Sequence, residues 1–172
     1  MRVDRDTNYL DIALVVSDRA TCLRRRFGAV LVKDNTILST GYNGAPRGCE
    51  DCLTRGWCER ERLDVPAGDR YELCRSVHAE MNALLHAGRE RAVGSVLYIA
   101  ARDAQTGEII TAQPCIMCAR VIMNAGVKEV VIRTPDGLTR YEVDEWRTSD
   151  RFWIDPAIMH GEQSTVSDSG SR

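Results

Sequence analysis

Two short stretches of this chain carry side chains suited to a metal ion, His78-Ala79-Glu80 and Pro114-Cys115-Ile116-Met117-Cys118. Between them they supply one imidazole, two thiols and a carboxylate. Three protein ligands, His78, Cys115 and Cys118, leave a tetrahedral Zn²⁺ ion one vacant corner, whereas a purely structural site closes with four. Water at such a corner has its pKa lowered to roughly 7, which makes a nucleophile available at neutral pH. A Cys-x-x-Cys pair in the first turn of a helix points both sulfurs the same way. It also lies at the positive end of the helix dipole, which favours thiolate over thiol. Glu80 stands two residues beyond His78, close enough to reach the activated water rather than the ion. Its task is that of a general acid/base, taking a proton from water and passing it to a leaving group.

The order His-x-Glu, then Pro-Cys-x-x-Cys, matches the pattern of zinc deaminases that attack C4 of cytosine or C6 of adenine. Either half alone also occurs in zinc ribbons or redox sites, so the specificity lies in the joint match. Gly41-Tyr-Asn-Gly-Ala-Pro-Arg-Gly48 and Cys74-Arg-Ser-Val-His-Ala-Glu-Met-Asn-Ala-Leu84 further resemble the deoxycytidylate deaminase family, over a span from Tyr9 to Ile132. The resemblance implies a cytidine-deaminase-like fold, a catalytic zinc, a small nucleotide substrate, conversion of dCMP to dUMP, and a homo-oligomer, often a hexamer. It also implies that Asn43 approaches the nucleotide's sugar and that the backbone at Ala79 meets the pyrimidine. By residue type alone, Gly41-Tyr-Asn-Gly44 is only a turn, and the alternative is Asn43 as a left-handed turn residue.

Many microbial members resemble this chain in a further respect, a second and structural zinc. Cys22, Cys52, Cys58 and Cys74 match that set best, with Cys49 as a substitute. The physical case is that a long loop with little core of its own is ordered by a closed tetrathiolate site; the alternative is a group of free buried thiols. Two features depart from the family pattern. Ala101–Gln113 reads as a hairpin inserted beside the Pro-Cys motif, where it can reshape the pocket. The segment after Ile132 lacks the expected Tyr-containing stretch, which leaves Arg102, Arg133 and Arg140 as candidate phosphate ligands or as ordinary surface arginines.

These side chains need elements to hold them. Apolar positions recur at helical spacing between Tyr9 and Ala20, which predicts an amphipathic helix. Phe27–Val32 and Thr36–Thr40, separated by Lys33-Asp34-Asn35, read as a hairpin. Gly41–Arg75 offers no regular assignment, and a loop of that length in a compact domain is functional or externally pinned. A helix follows from His78 to Ala87, stopped by Gly88, and then a buried strand from Ser95 to Ala100. Gln105–Glu108 forms a turn into Ile109–Thr111. Pro114 suits the entry to a helix from Cys115 to Asn124, and Lys128–Arg133 closes the pattern as a strand. The succession predicts an α/β three-layer sandwich, a mixed sheet of about five strands flanked by helices, with both chemically loaded segments at helix starts.

A length of 172 residues suits one domain, taken as residues 1–160 with a polar, disordered tail at 161–172. A formal net charge of −2 lacks the basic excess that nucleic-acid binding leaves in a domain, so no nucleic-acid partner is expected. No apolar run approaches the ~18 residues of a membrane span, and no membrane partner is expected. Seven cysteines with no export signal read as metal ligands or thiols in a reducing, cytoplasmic setting. Two other readings share the motif, a transfer-RNA adenosine deaminase and a zinc-stapled binding module without turnover. Glu80 argues against the second, since a structural site has no use for an unligated carboxylate beside an open position.

Overall fold

Helix α1, Arg5–Ser17, begins where Asp4 accepts a hydrogen bond from the Thr7 N–H at 3.0 Å. It lies about four residues earlier than hydrophobic spacing alone predicts, because the cap decides where the first turn starts. The computed structural model describes residues 2–66 and 68–149. After α1 the chain forms the hairpin β1 (Arg25–Lys33) and β2 (Thr36–Tyr42), turning through Asp34 and Asn35, both at positive φ. The stretch expected to be structureless contains three single turns instead: α2 (Cys52–Arg55), α3 (Glu59–Arg62) and a 3₁₀ turn at Tyr71–Leu73. Each is too short to leave a periodic signature in the sequence. There follow α4 (Ala79–Ala87), α5 (Arg89–Ala92), β3 (Val96–Asp103), β4 (Ile109–Ile110), α6 (Ile116–Ala125), β5 (Glu129–Thr134), β6 (Gly137–Glu142) and α7 (Val143–Thr148).

The sheet runs β2-β1-β3-β5-β6, with β4 paired to the far end of β3, six strands in all. It is mixed: β3 and β5 are parallel, joined through α6, and the other pairings are antiparallel. The inserted hairpin is present, with Ala101 opposite Ile110 and Arg102 opposite Ile109. Past Pro135, where the sequence signal fades, β6 pairs with β5 along its whole length and α7 tucks Trp146 into the core. The tail at 161–172 and the domain limit at 160 lie outside the described residues.

Strand alternation builds both faces at once. Ala29, Leu31, Leu97, Ile99, Val130 and Ile132 point to the side covered by α4 and α6. Val30, Val32, Tyr98, Ala100 and Val131 point to the side covered by α1. Two glycines let helix backbone rest directly on strand. A methyl group at Gly28 would sit 1.9 Å from the Ala13 carbonyl oxygen of α1, and one at Gly41 would sit 2.2 Å from the Ala79 carbonyl oxygen of α4. Helix α4 is also laced to β2: the Ser39 hydroxyl donates to the Ala83 carbonyl at 2.7 Å, and the Asn82 amide to the Tyr42 carbonyl at 2.8 Å.

Candidate active site

The two chemically loaded segments meet because both open helices that pack on the same face of the sheet. His78 is the N-cap of α4 and Cys115 the N-cap of α6, with Cys118 in its first turn. The His78 Nδ1 lies 3.5 Å from the Cys115 Sγ and 3.3 Å from the Cys118 Sγ. Zinc bonds of about 2.0 Å to nitrogen and 2.3 Å to sulfur, held at a tetrahedral angle, require N···S separations of about 3.5 Å. The donor set and its spacing therefore fit zinc. Among the described residues, this is the one group of three or more His, Cys, Asp or Glu side chains whose ligand atoms all lie within 4.8 Å of one another.

Charge in the cluster is strongly redistributed. The Cys115 thiol falls to about 4, chiefly through its hydrogen bond with Cys118 and, against the cost of burial, through His78. Cys118 moves the other way, pushed up by the neighbouring Cys115 sulfur and by burial. Burial alone would lower His78. Contacts with Cys115 and Cys74 and the charge of Glu80 override it and raise the imidazole to about 11. A cation held here would require both sulfurs as thiolates and the imidazole nitrogen free of its proton, so binding would release protons. Glu80 is 3 % exposed, and burial raises its carboxyl above the usual range.

His78, Glu80, Cys115 and Cys74 line a cavity of about 570 Å³, together with Asn43, Ala79, Tyr71 and Arg60, while Cys118 is fully buried beside it. Ala79 is fully buried and first in α4, so its N–H has no partner within the helix. Asn43 is buried, and its φ is not positive, so the left-handed turn reading is corrected. Its side chain instead clamps β1, accepting from the Phe27 N–H at 2.8 Å and donating to the Arg25 carbonyl at 3.0 Å. That leaves the carboxamide one further amide hydrogen and one further lone pair, on a residue that lines the cavity.

The cation-rich wall differs from the one expected. Arg102 pairs with Asp18 at 3.6 Å, Arg133 pairs with Asp11, and Arg140 with Asp6 and Glu129. The pairs with Asp18, Asp11 and Asp6 tie α1 and its C-cap to the sheet, the Arg140–Glu129 pair joins β6 to β5, and none of the three arginines lines the cavity. Arg24, Arg25, Arg70 and Arg120 do. Sequence reasoning missed them because nothing in an isolated arginine tells which way a strand or loop will aim it. The inserted hairpin reaches the cavity through Thr111 and Gln113, and the Tyr141 hydroxyl of β6 donates to the Gln113 carboxamide oxygen at 2.9 Å.

Cys22, Cys52, Cys58 and Cys74 are neighbours. Cys52 is pushed up to about 11 by burial first and then by the charges of the other three. No three of the four sulfurs come within 4.8 Å of one another, so the set lies near but not at ligand spacing. Cys49 is exposed.

Comparison with known proteins agrees with the geometry. Residues 3–134 match the family described as the cytidine and deoxycytidylate deaminase zinc-binding region. The deoxycytidylate deaminase of Mycobacterium phage D29 is 40% identical over 136 residues, 76% of this chain and 94% of that protein. That of Schizosaccharomyces pombe is 39% identical over 131 residues, 75% of this chain but 37% of the longer fungal protein. Among solved structures, the dCMP deaminase of cyanophage S-TIM5 in complex with dCMP and dUMP superposes with a TM-score of 0.55 at 29% identity. That match covers 78% of this chain and 84% of the phage chain. With the fold, the paired helix starts and the sequence match in accord over three quarters of its length, the chain belongs to the cytidine and deoxycytidylate deaminase family.

Proposed function

We propose that this protein hydrolyses the exocyclic amine of a free cytosine nucleotide, dCMP to dUMP with release of ammonia. The observation that carries the reading is a carboxyl group, Glu80, buried on the wall of a nucleotide-sized cavity beside a three-donor set that fits zinc. His78, Cys115 and Cys118 would hold the ion, which when bound supplies the Lewis acidity that makes water nucleophilic near neutral pH. The remaining work belongs to the chain. Glu80, whose burial makes its carboxyl hold a proton more readily than an exposed one, accepts the proton of water and delivers it to the departing amine. The Ala79 N–H and the residual donor and acceptor of Asn43 orient the base and sugar. Arg24, Arg25 and Arg120 at the cavity edge suit a monophosphate.

The choice of dCMP draws on relatives named deoxycytidylate deaminases, from phages and fungi among others, and on the cyanophage enzyme's dCMP and dUMP complex. Incubated with a panel of cytosine and adenine nucleotides and with transfer RNA, the purified protein should release ammonia from dCMP. Activity on the RNA alone would overturn the reading. The same reading carries a homo-oligomer in the cytoplasm, which light scattering and cell fractionation would check.

A second, structural zinc on Cys22, Cys52, Cys58 and Cys74 is part of this proposal. It is supported by the crowding of four thiols around a connection with only single helical turns. Closing those sulfurs on an ion would order the segment. Elemental analysis should give two zinc ions per chain, falling to one in Cys52→Ser with faster proteolysis between residues 41 and 78. An unchanged metal count in that variant would remove the second ion.

A further inference from the structure

His78 must present Nδ1 to the ion in one ring orientation, and a ligating imidazole is ordinarily held by a partner outside the coordination sphere. Here the ring of Tyr71 packs on it at right angles, with centroids 5.2 Å apart and planes at 89°. Local backbone holds Tyr71 only through one short turn, in which its carbonyl accepts from the Cys74 N–H at 2.9 Å. It opens a three-residue 3₁₀ turn, and Arg70 before it sits at φ 44°, a conformation unfavourable to a side chain.

The brace is Arg60. This arginine is 6% exposed, and its Nη2 donates to the Pro66 carbonyl and, at 2.6 Å, to the Asp69 carbonyl. Its guanidinium lies 4.5 Å from the centre of the Tyr71 ring. Two carbonyls and an aromatic face offset the cost of burying that cation, and together they tie α3 to Pro66, Asp69 and Tyr71. Arg60, Tyr71 and His78 all border the same cavity, and the proposed reaction uses neither of the first two.

We propose that Arg60 and Tyr71 are positioning residues: the buried guanidinium sets the Tyr71 ring against His78, and that ring fixes the imidazole in its metal-facing orientation. The inference rests on the zinc-site reading above. It also gives the long connection a function independent of any second ion, since a loop that wraps a buried arginine delivers an aromatic ring to the metal ligand.

The test uses the full-length protein loaded with zinc, and separately with cobalt(II), whose visible absorption reports the ligand field. Tyr71→Leu should release zinc to a chelator about 10-fold faster or more, the range typical of losing an outer-shell partner, and should shift the cobalt spectrum. Its kcat should fall by a similar factor with KM little changed. Tyr71→Phe, which keeps the ring, should restore the wild-type spectrum and release rate. Arg60→Lys should reproduce the Tyr71→Leu defects, because a point charge cannot both bridge two carbonyls and stack. A wild-type spectrum and release rate in Tyr71→Leu would overturn the positioning role while leaving the zinc site standing. Loss of turnover in Tyr71→Leu with an unchanged cobalt spectrum would overturn it too, by placing Tyr71 on the substrate. A wild-type protein that holds no metal would overturn the zinc-site reading and this inference with it.

Discussion

The two faces of the sheet are built by the same device and put to different ends. On one, α1 lies on Gly28 of β1; on the other, α4 lies on Gly41 of β2. In both cases helix backbone comes so close that even a methyl group has no room. The α1 face is then finished with polar fastenings on its rim: the Tyr98 hydroxyl donating to Asp6 at 2.8 Å, and Arg102, Arg133 and Arg140 paired with Asp18, Asp11 and Asp6. The α4 and α6 face leaves two helix N-termini converging on His78, Cys115, Cys118 and a buried Glu80. Close helix-on-strand packing is therefore a general means of holding an element rigidly, and the chemistry depends on what stands at the end of the element so held.

The sharpest separation should come from Glu80→Gln. On the catalytic face it should cut kcat by at least ~10²-fold, the usual loss of a general acid/base, with zinc content and fold retained. Tyr98→Phe on the opposite face removes a partly buried hydrogen bond to a charged group. It should lower stability by about 1 kcal/mol in denaturant titration and leave kcat unchanged. A Glu80→Gln enzyme with normal turnover would break the comparison at its centre.

The matched glycine pair sharpens it next. Gly28→Ala and Gly41→Ala each overpack a helix against a strand and should each destabilise by about 1–3 kcal/mol. Only Gly41→Ala displaces the helix that begins with His78 and Glu80, so only that variant should also lose turnover per folded molecule. Equal loss of specific activity per folded molecule in both would show that the α1 face is coupled to the site. The smallest effect belongs to the rim. Asp11→Asn, which removes the partner of Arg133, should change stability by about 0–1 kcal/mol, less still at high salt, with no effect on turnover.

Several parts of the molecule were legible before any fold was known. The apolar runs in Phe27–Val32 and Lys128–Arg133 are local, and so are the caps and stops at His78, Gly88 and Cys115, because the backbone responds to residues one turn away. The three donors and the adjacent carboxylate were legible for the same reason: each motif lies within a single helical turn. By contrast, the single turns at Cys52–Arg55 and Glu59–Arg62 are too short to show a period, and β6 and α7 owe their places to β5 and the core.

What the sequence by itself determined is the proposed donor set, the proposed general acid/base and the elements that begin with them, since spacing along a helix fixes which side chains share a direction. Tertiary structure alone decided which arginines face the cavity and which are consumed by α1. It decided that Asn43 clamps β1 rather than turning the chain, and that a buried Arg60 lays Tyr71 on His78. Those outcomes depend on contacts between residues far apart in the chain, and the directions of such side chains are set by packing rather than by their neighbours in sequence.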